Sequence, residues 1–382
     1  MITKRQLRTL LPAFMAPAIP YGGQACIEGV MMKGLKHAAL AVRRSDGRIE
    51  VIHREVVSRF PALTRMPFVR GFFILWDMMT LGTWALKESS RRFEEDVIAA
   101  EAEAKGEQPV TPAAEEDRKS NSGLILELIT MALGFMIAIF IFKVLPAIAA
   151  TYTFEWIGWG SLKSMENPTM LHQFIANLVE GLVKMGIFVA YISLVARFKE
   201  IRRVFEYHGA EHIVINAYED DMNNQKMEFI QSHSVAHPRC GTSFIVILIL
   251  VGVILYTLLD YLFVQNGAAI NSVLPEWWLN GKLGPAVHDN IPGWWIRWPL
   301  RILAIPLLAG ISYEFIRAAF RYYGNPLLRP LLRFGMLFQA LTTRRPSDEQ
   351  VEVSLASFNR VRYLTEDIPE PEIRQPASSA SS

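Results

Sequence analysis

The chain has 382 residues, with 39 Lys plus Arg against 37 Asp plus Glu, and the resulting formal charge of +2 gives no global field to attract nucleic acid. Hydrophobic residues reach 51% and mean hydropathy +0.21, too apolar for a disordered chain and too polar for one lying almost wholly in lipid, so membrane and soluble parts are expected together. Two cysteines, Cys26 and Cys240, exclude a disulfide scaffold and a four-cysteine zinc site within one chain, which leaves any metal mainly to His and carboxylate.

Lys4, Arg5 and Arg8 precede an apolar run, but Pro12, Pro17 and Pro20 break it, so it reads as an irregular lead-in rather than a cleaved signal. Residues 21–32, YGGQACIEGVMM, are punctuated by glycines that permit tight turns or close backbone approach, without the spacing of a phosphate loop. Glu28 is the one acidic residue there; it either sits against a metal site or caps a helix. Residues 37–57 alternate around Ser45-Asp46-Gly47, which predicts a β-hairpin. Phe68 to Leu86 is apolar and aromatic, interrupted by Asp77, and fits a helix lying in the inner membrane interface. Residues 1–90 thus read as an N-terminal cytoplasmic region, and 91–123, rich in Glu, Ala, Lys, Pro and Ser, as a disordered acidic linker.

Four apolar stretches near 124–148, 171–195, 243–264 and 294–318 each supply the ~20 residues needed to cross a bilayer. Within 124–320 they form the expected transmembrane domain, with a cytoplasmic loop at 196–242. That loop carries six basic residues, Arg197, Lys199, Arg202, Arg203, Lys226 and Arg239, against Lys163 and Lys282 in the opposite loops, which places it and both termini inside. Trp156, Trp159, Trp277, Trp278, Trp294, Trp295 and Trp298 then gather at the outer face as an interfacial belt. Residues 321–382 hold a second interfacial helix over Pro326 to Leu341, a capping box at Ser347 to Gln350 opening a helix to about Arg360, and a tail from Ile368. The expected fold is a mainly α membrane protein of four transmembrane helices, with a small cytoplasmic β-hairpin and interfacial helices, set among membrane lipids at the inner membrane.

Chemistry concentrates at Glu206-Tyr207-His208-Gly209-Ala210-Glu211-His212. His208 and His212, four apart on a helix, put both imidazoles on one face within reach of a single cation, and Glu211 gives the order H-x-x-E-H with a base beside the pair. Two solvated or core histidines would leave the same pattern. A second cluster, His233 to Gly241, contributes His237 and Cys240 on the same side; if both join, the site has four protein ligands and is a structural zinc site. With one further ligand a position stays open for catalysis. Glu314, near the inner end of the fourth stretch, is the other candidate for that ligand, or else pairs with Arg317. Glu180 and Lys184, at i,i+4, read as a neutralising pair.

The motifs GGQACIEGVMM, HGAEH with NAYE, HPRCGTSF and ISYEFIR, in this order, resemble the bacterial YqhQ-type family of uncharacterised multi-pass membrane proteins labelled predicted metal-dependent enzymes. The resemblance covers about 20–90 and 121–360. It implies that Glu28, His208, Glu211, His212, His237, Cys240 and Glu314 fall at motif positions. Three functions are expected to compete. One is a metal-dependent hydrolase binding a divalent ion, zinc by its imidazole and thiolate donors, with Glu211 as general base. Another is a membrane scaffold with a structural metal clip. The third is a transporter using Glu180, Lys184 and Glu314, against which stands the absence of an internal repeat.

Overall fold

A computed structural model of the chain describes residues 21–106, most of 129–158, 169–266 apart from Arg239, positions 269 and 272, 294–321, 329–366 and position 368. The proline-broken lead-in, the linker from 107 to 123, Trp159, Trp277, Trp278 and the tail beyond 368 lie outside the described residues. Four strands come first: β1 (Gly22–Cys26), β2 (Gly29–Lys33), β3 (His37–Arg43) and β4 (Ile49–Glu55). Helices follow as α1 (Arg70–Lys105), α2 (Leu145–Trp156), α3 (Met170–Val195), α4 (Lys199–Asp220), α5 (Met227–Gln231) and α6 (Gly241–Gln265). The last are α7 (Trp294–Leu303), α8 (Ile305–Arg321), α9 (Arg329–Thr342) and α10 (Asp348–Glu366).

The strands form an antiparallel meander in the order β1-β2-β3-β4. The second hairpin is the expected one, with Gly47 at φ 85 in its turn. The first corrects the expectation of a single hairpin: Cys26 pairs with Gly29 across a two-residue turn, Ile27-Glu28, in which Glu28 has φ 50. Such turns favour Asn, Asp or Gly, so a Glu gave no turn signal. β3 is buried on both faces, as its apolar run Ala38 to Val42 requires. Ala38, Leu40 and Val42 cluster with Leu81 and Ala85 of α1, while Ala39 and Ala41 join Tyr207, Ile213, Phe358 and Val361 of α4 and α10. The sheet is thus a middle layer, and Ser357 ties α10 to it by accepting from Met32 N at 3.0 Å and donating to Ala39 O at 2.9 Å.

Helix α1 is a second correction. It continues through the first part of the expected linker to Lys105 and ends on Gly106 at φ 68, a left-handed cap. Glu, Ala, Lys and Arg, read from composition as disorder, are also strong helix formers. Ion pairs fix the helix: Arg91 to Glu95 at 2.6 Å, Arg92 to Glu88 at 2.6 Å and to Glu50 of β4 at 2.7 Å, and Arg44 to Asp96 at 2.8 Å.

Among the described residues two helices, not four, are long and apolar enough to cross a membrane: Met170–Val195 and Gly241–Phe263. Only 6% of the apolar window of the first is buried, unlike a core helix of a soluble protein. The stretch near 124–148 is described only in part. The fourth stretch is broken into α7 and α8 at Ala304, beside Pro299 and Pro306, each of which lacks a backbone N–H donor. α7 is nevertheless tied to α3 and α6 by Arg301, which reaches Asp260 at 2.5 Å, Asn177 at 3.0 Å and Glu180 at 3.4 Å. Glu180 also bonds Lys184 at 3.2 Å, the expected pair, whereas Asp260 gave no sequence signal.

Candidate metal centre

Helix α4 carries the H-x-x-E-H face, and its packing explains the orientation of both imidazoles. His208 Nδ1 lies 2.8 Å from Thr342 O at the end of α9, and His212 Nδ1 lies 2.6 Å from Val235 O in the loop before α6. Both nitrogens therefore donate to backbone carbonyls, which fixes the tautomer and turns each Nε2 lone pair to the opposite side. There they meet Cys240, the residue immediately before α6: His208 Nε2 is 3.3 Å from its Sγ. The donor atoms of His208, His212 and Cys240 all lie within 4.8 Å of one another, and the ring centroids of the two histidines are 4.5 Å apart. Tetrahedral zinc with bonds of ~2.0 Å to nitrogen and ~2.3 Å to sulfur separates N and S by about 3.5 Å, so the set closes on such an ion with little movement.

The second layer is equally specific. Gln339 of α9 accepts from His237 N at 2.9 Å and donates to His237 O at 2.8 Å and Ser243 Oγ at 2.9 Å, which holds the segment that delivers Cys240. Thr242 Oγ1 lies 3.3 Å from the thiol. Gly209 lets the 342–346 segment run directly against α4: Arg344 N donates to Phe205 O at 2.9 Å, and a Cβ at Gly209 would lie 1.9 Å from Arg344 O. Gly209→Ala is accordingly expected to destabilise the protein by about 2–3 kcal/mol, because backbone must move, and to detach the Thr342 carbonyl from His208. Thermal unfolding in detergent, with and without added zinc, measures both effects.

Glu211 lies beside the trio, between its two histidines in sequence, with an N–H bond from Gly23 of β1. Its Oε2 is buried and has no hydrogen-bond partner among the described residues. Burial lifts its carboxyl to about 7, the thiol of Cys240 pushes the same way, and His208 and Gly23 oppose. Burial lowers His212. For Cys240 burial acts upward, but hydrogen bonding to His212 and Thr242 and the charge of His212 outweigh it, so the thiol moves down toward the thiolate a metal requires. An unpartnered buried carboxylate oxygen beside two imidazoles and a thiol is what a dication would satisfy.

The remaining candidates fall elsewhere. His237 has its ring 5.7 Å from that of His212, but its Nε2 faces Glu219 at 3.7 Å, outside the mutually close trio. Glu314 bonds Arg70 through both oxygens at 2.5 Å and accepts from Phe68 N at 3.4 Å. It joins α8 to the start of α1, where a Cβ on Gly310 would lie 1.5 Å from Phe68 O. The Arg317 partner expected from spacing is replaced by one 244 positions away in sequence. Glu28 pairs with Arg203 and lies 3.3 Å from the Tyr207 hydroxyl, so it clamps the β1–β2 turn onto α4 rather than joining the donors. Sequence reasoning missed Gly23 and Gln339, and the two carbonyls that aim the histidines carry no side-chain signal.

The model of a family described as a protein of unknown function (DUF1385) matches residues 66–363. Uncharacterized protein YqhQ of Bacillus subtilis (strain 168) is 31% identical over 359 residues, covering 92% of this chain and 96% of that protein. No solved structure matches. With most of its length matched in both comparisons, the chain belongs to the DUF1385 family and is a relative of YqhQ.

Proposed function

We propose that the protein is a metal-dependent hydrolase of the inner membrane, with its site at the cytoplasmic surface. The observation that carries the reading is the pinning of both Nδ1 atoms by backbone carbonyls, which aims two Nε2 lone pairs at Cys240 and gives, among the described residues, a set of three mutually close donors. Three donors are the number found in catalytic zinc sites, which keep one position open, whereas structural sites use four. A divalent metal held there supplies Lewis-acid polarisation of an ester, amide or phosphoryl oxygen. His208 and His212 bind and orient, Cys240 neutralises charge as thiolate, and Glu211 takes the proton from the attacking water at its unpartnered oxygen.

The membrane placement rests on the two long apolar helices α3 and α6, the exposure of α3, and the basic residues of the 196–242 loop. Four spans with both termini inside follow if the 124–148 stretch and the α7–α8 stretch, tied by Arg301 to α3 and α6, also cross the bilayer. The burial of His212 and Cys240 favours a second reading, a scaffold clipped by structural metal.

The test is turnover of chromogenic carboxyl and phosphate esters by zinc-loaded protein in vesicles. Zinc-dependent turnover lost in Glu211→Gln with metal retained supports the hydrolase. Stoichiometric metal with no turnover, or turnover indifferent to zinc, overturns it.

A further inference from the structure

The two faces of α9 differ in a way the metal site alone does not require. Gly335, Phe338, Gln339 and Thr342 are buried on the inner face, where Gln339 and Thr342 meet His237, Ser243 and His208. On the outer face Phe334 is 42% exposed and Leu337 66%, three residues apart, with Arg333 exposed beside them. The helix therefore exposes two large apolar side chains while burying two polar ones against the site, the reverse of what a soluble surface helix does with such residues. It packs on α6, one of the two long apolar helices, so its outer face continues an apolar surface. Arg197 and Lys199 stand between α3 and α4 and at the start of α4, and Arg344 follows α9; all three are exposed, and none has an acidic partner among the described residues. Arg344 is tied by its backbone to α4 at Phe205, three residues before His208.

From this juxtaposition we infer that the substrate is a membrane-borne amphiphile with an anionic headgroup, presented to the site along α9. The inference rests on the hydrolase reading and adds its substrate class. Acyl chains cover Phe334 and Leu337, the headgroup is attracted by Arg333 and Arg344, and the same helix ends at the carbonyl that orients His208. A soluble substrate would need neither the apolar outer face nor cations placed at the level where α3 ends and α6 begins. Exposed basic residues at a bilayer surface select anionic lipid.

The experiment uses full-length protein in phosphatidylcholine nanodiscs doped with a phosphatidylglycerol bearing a diazirine on its acyl chain, with crosslinks mapped by peptide mass and metal measured on the same samples. Crosslinks should fall on 333–340, be displaced by excess phosphatidylglycerol and not by phosphatidylcholine, and drop about thirty-fold in the double variant Arg333→Gln, Arg344→Gln, with bound metal unchanged. Equal capture of the phosphatidylcholine analogue, or capture confined to α3 and α6, overturns the inference while leaving the metal site intact. Displacement by glycerol 3-phosphate or inorganic phosphate also overturns it, since a free phosphate ester would then suffice. Loss of metal from the unaltered protein would mark failure of the hydrolase reading instead.

Discussion

Replacing Cys240 by serine is expected to cost at least about a hundred-fold in zinc affinity, because even outer-shell changes at zinc sites cost 10–100-fold and this one removes a ligand. The thiol is one of three donors within 4.8 Å of each other, and the other candidate ligands are engaged elsewhere: His237 faces Glu219, Glu314 is held by Arg70, and Glu28 by Arg203. Stability should follow the metal. At a free zinc concentration a hundred times the dissociation constant, binding contributes about 2.7 kcal/mol to the folded state. Unaltered protein should therefore melt lower when chelator is added, and Cys240→Ser should melt at that lower temperature with or without chelator. A serine variant that kept both its metal and its chelator response would remove the thiolate from the set.

Glu211→Gln is expected to have the opposite profile, with metal and fold retained and turnover lowered by about 10²–10⁴. It also predicts a pH effect without any substrate. Burial holds the Glu211 carboxyl at about 7, above its ordinary 4.5, so the folded state keeps a proton that the unfolded chain releases. That contribution is complete below pH 4.5 and lost as pH rises through about 7, which costs the metal-free protein roughly 3 kcal/mol. His212 works from the other side: its lowered value contributes stability above its ordinary 6.5 that is lost as pH falls below it. In metal-free protein the two contributions oppose each other below pH 6.5, and the alkaline limb that remains above it, a loss of stability as pH rises toward about 7, belongs to Glu211. Glu211→Gln should abolish the alkaline limb alone, and zinc should abolish it in unaltered protein, because a dication favours the carboxylate. Melting temperatures across pH 5–8 measure this, and an alkaline limb unchanged in Glu211→Gln would show that Glu211 is not its source.

The parts of the molecule legible in the sequence were those set by local spacing. His208 and His212 share a helix face because they are four apart, Ser347 and Gln350 cap each other across one turn, and Ser45-Asp46-Gly47 turns a hairpin. What stayed hidden depends on contacts made across long stretches of chain. Glu314 looked available for metal because Arg70 is far off in sequence, and two backbone carbonyls aim the imidazoles without any residue type to announce them. The β1–β2 hairpin was obscured by a glutamate at positive φ, an arrangement stabilised by Arg203 of α4 and invisible to turn chemistry. Cys240 was legible as a candidate donor, with a closed set of four and an open set of three both left standing by the spacing, and the structure brings it within 4.8 Å of the two histidine donors.

X-ray absorption at the zinc edge of purified, zinc-loaded protein tests the central claim most directly. The account predicts about one zinc per chain, one sulfur scatterer near 2.3 Å, two imidazoles near 2.0 Å and one light oxygen or nitrogen neighbour in the open position. A shell without sulfur, a fourth protein ligand in the form of a third imidazole, or no bound zinc at all would contradict it.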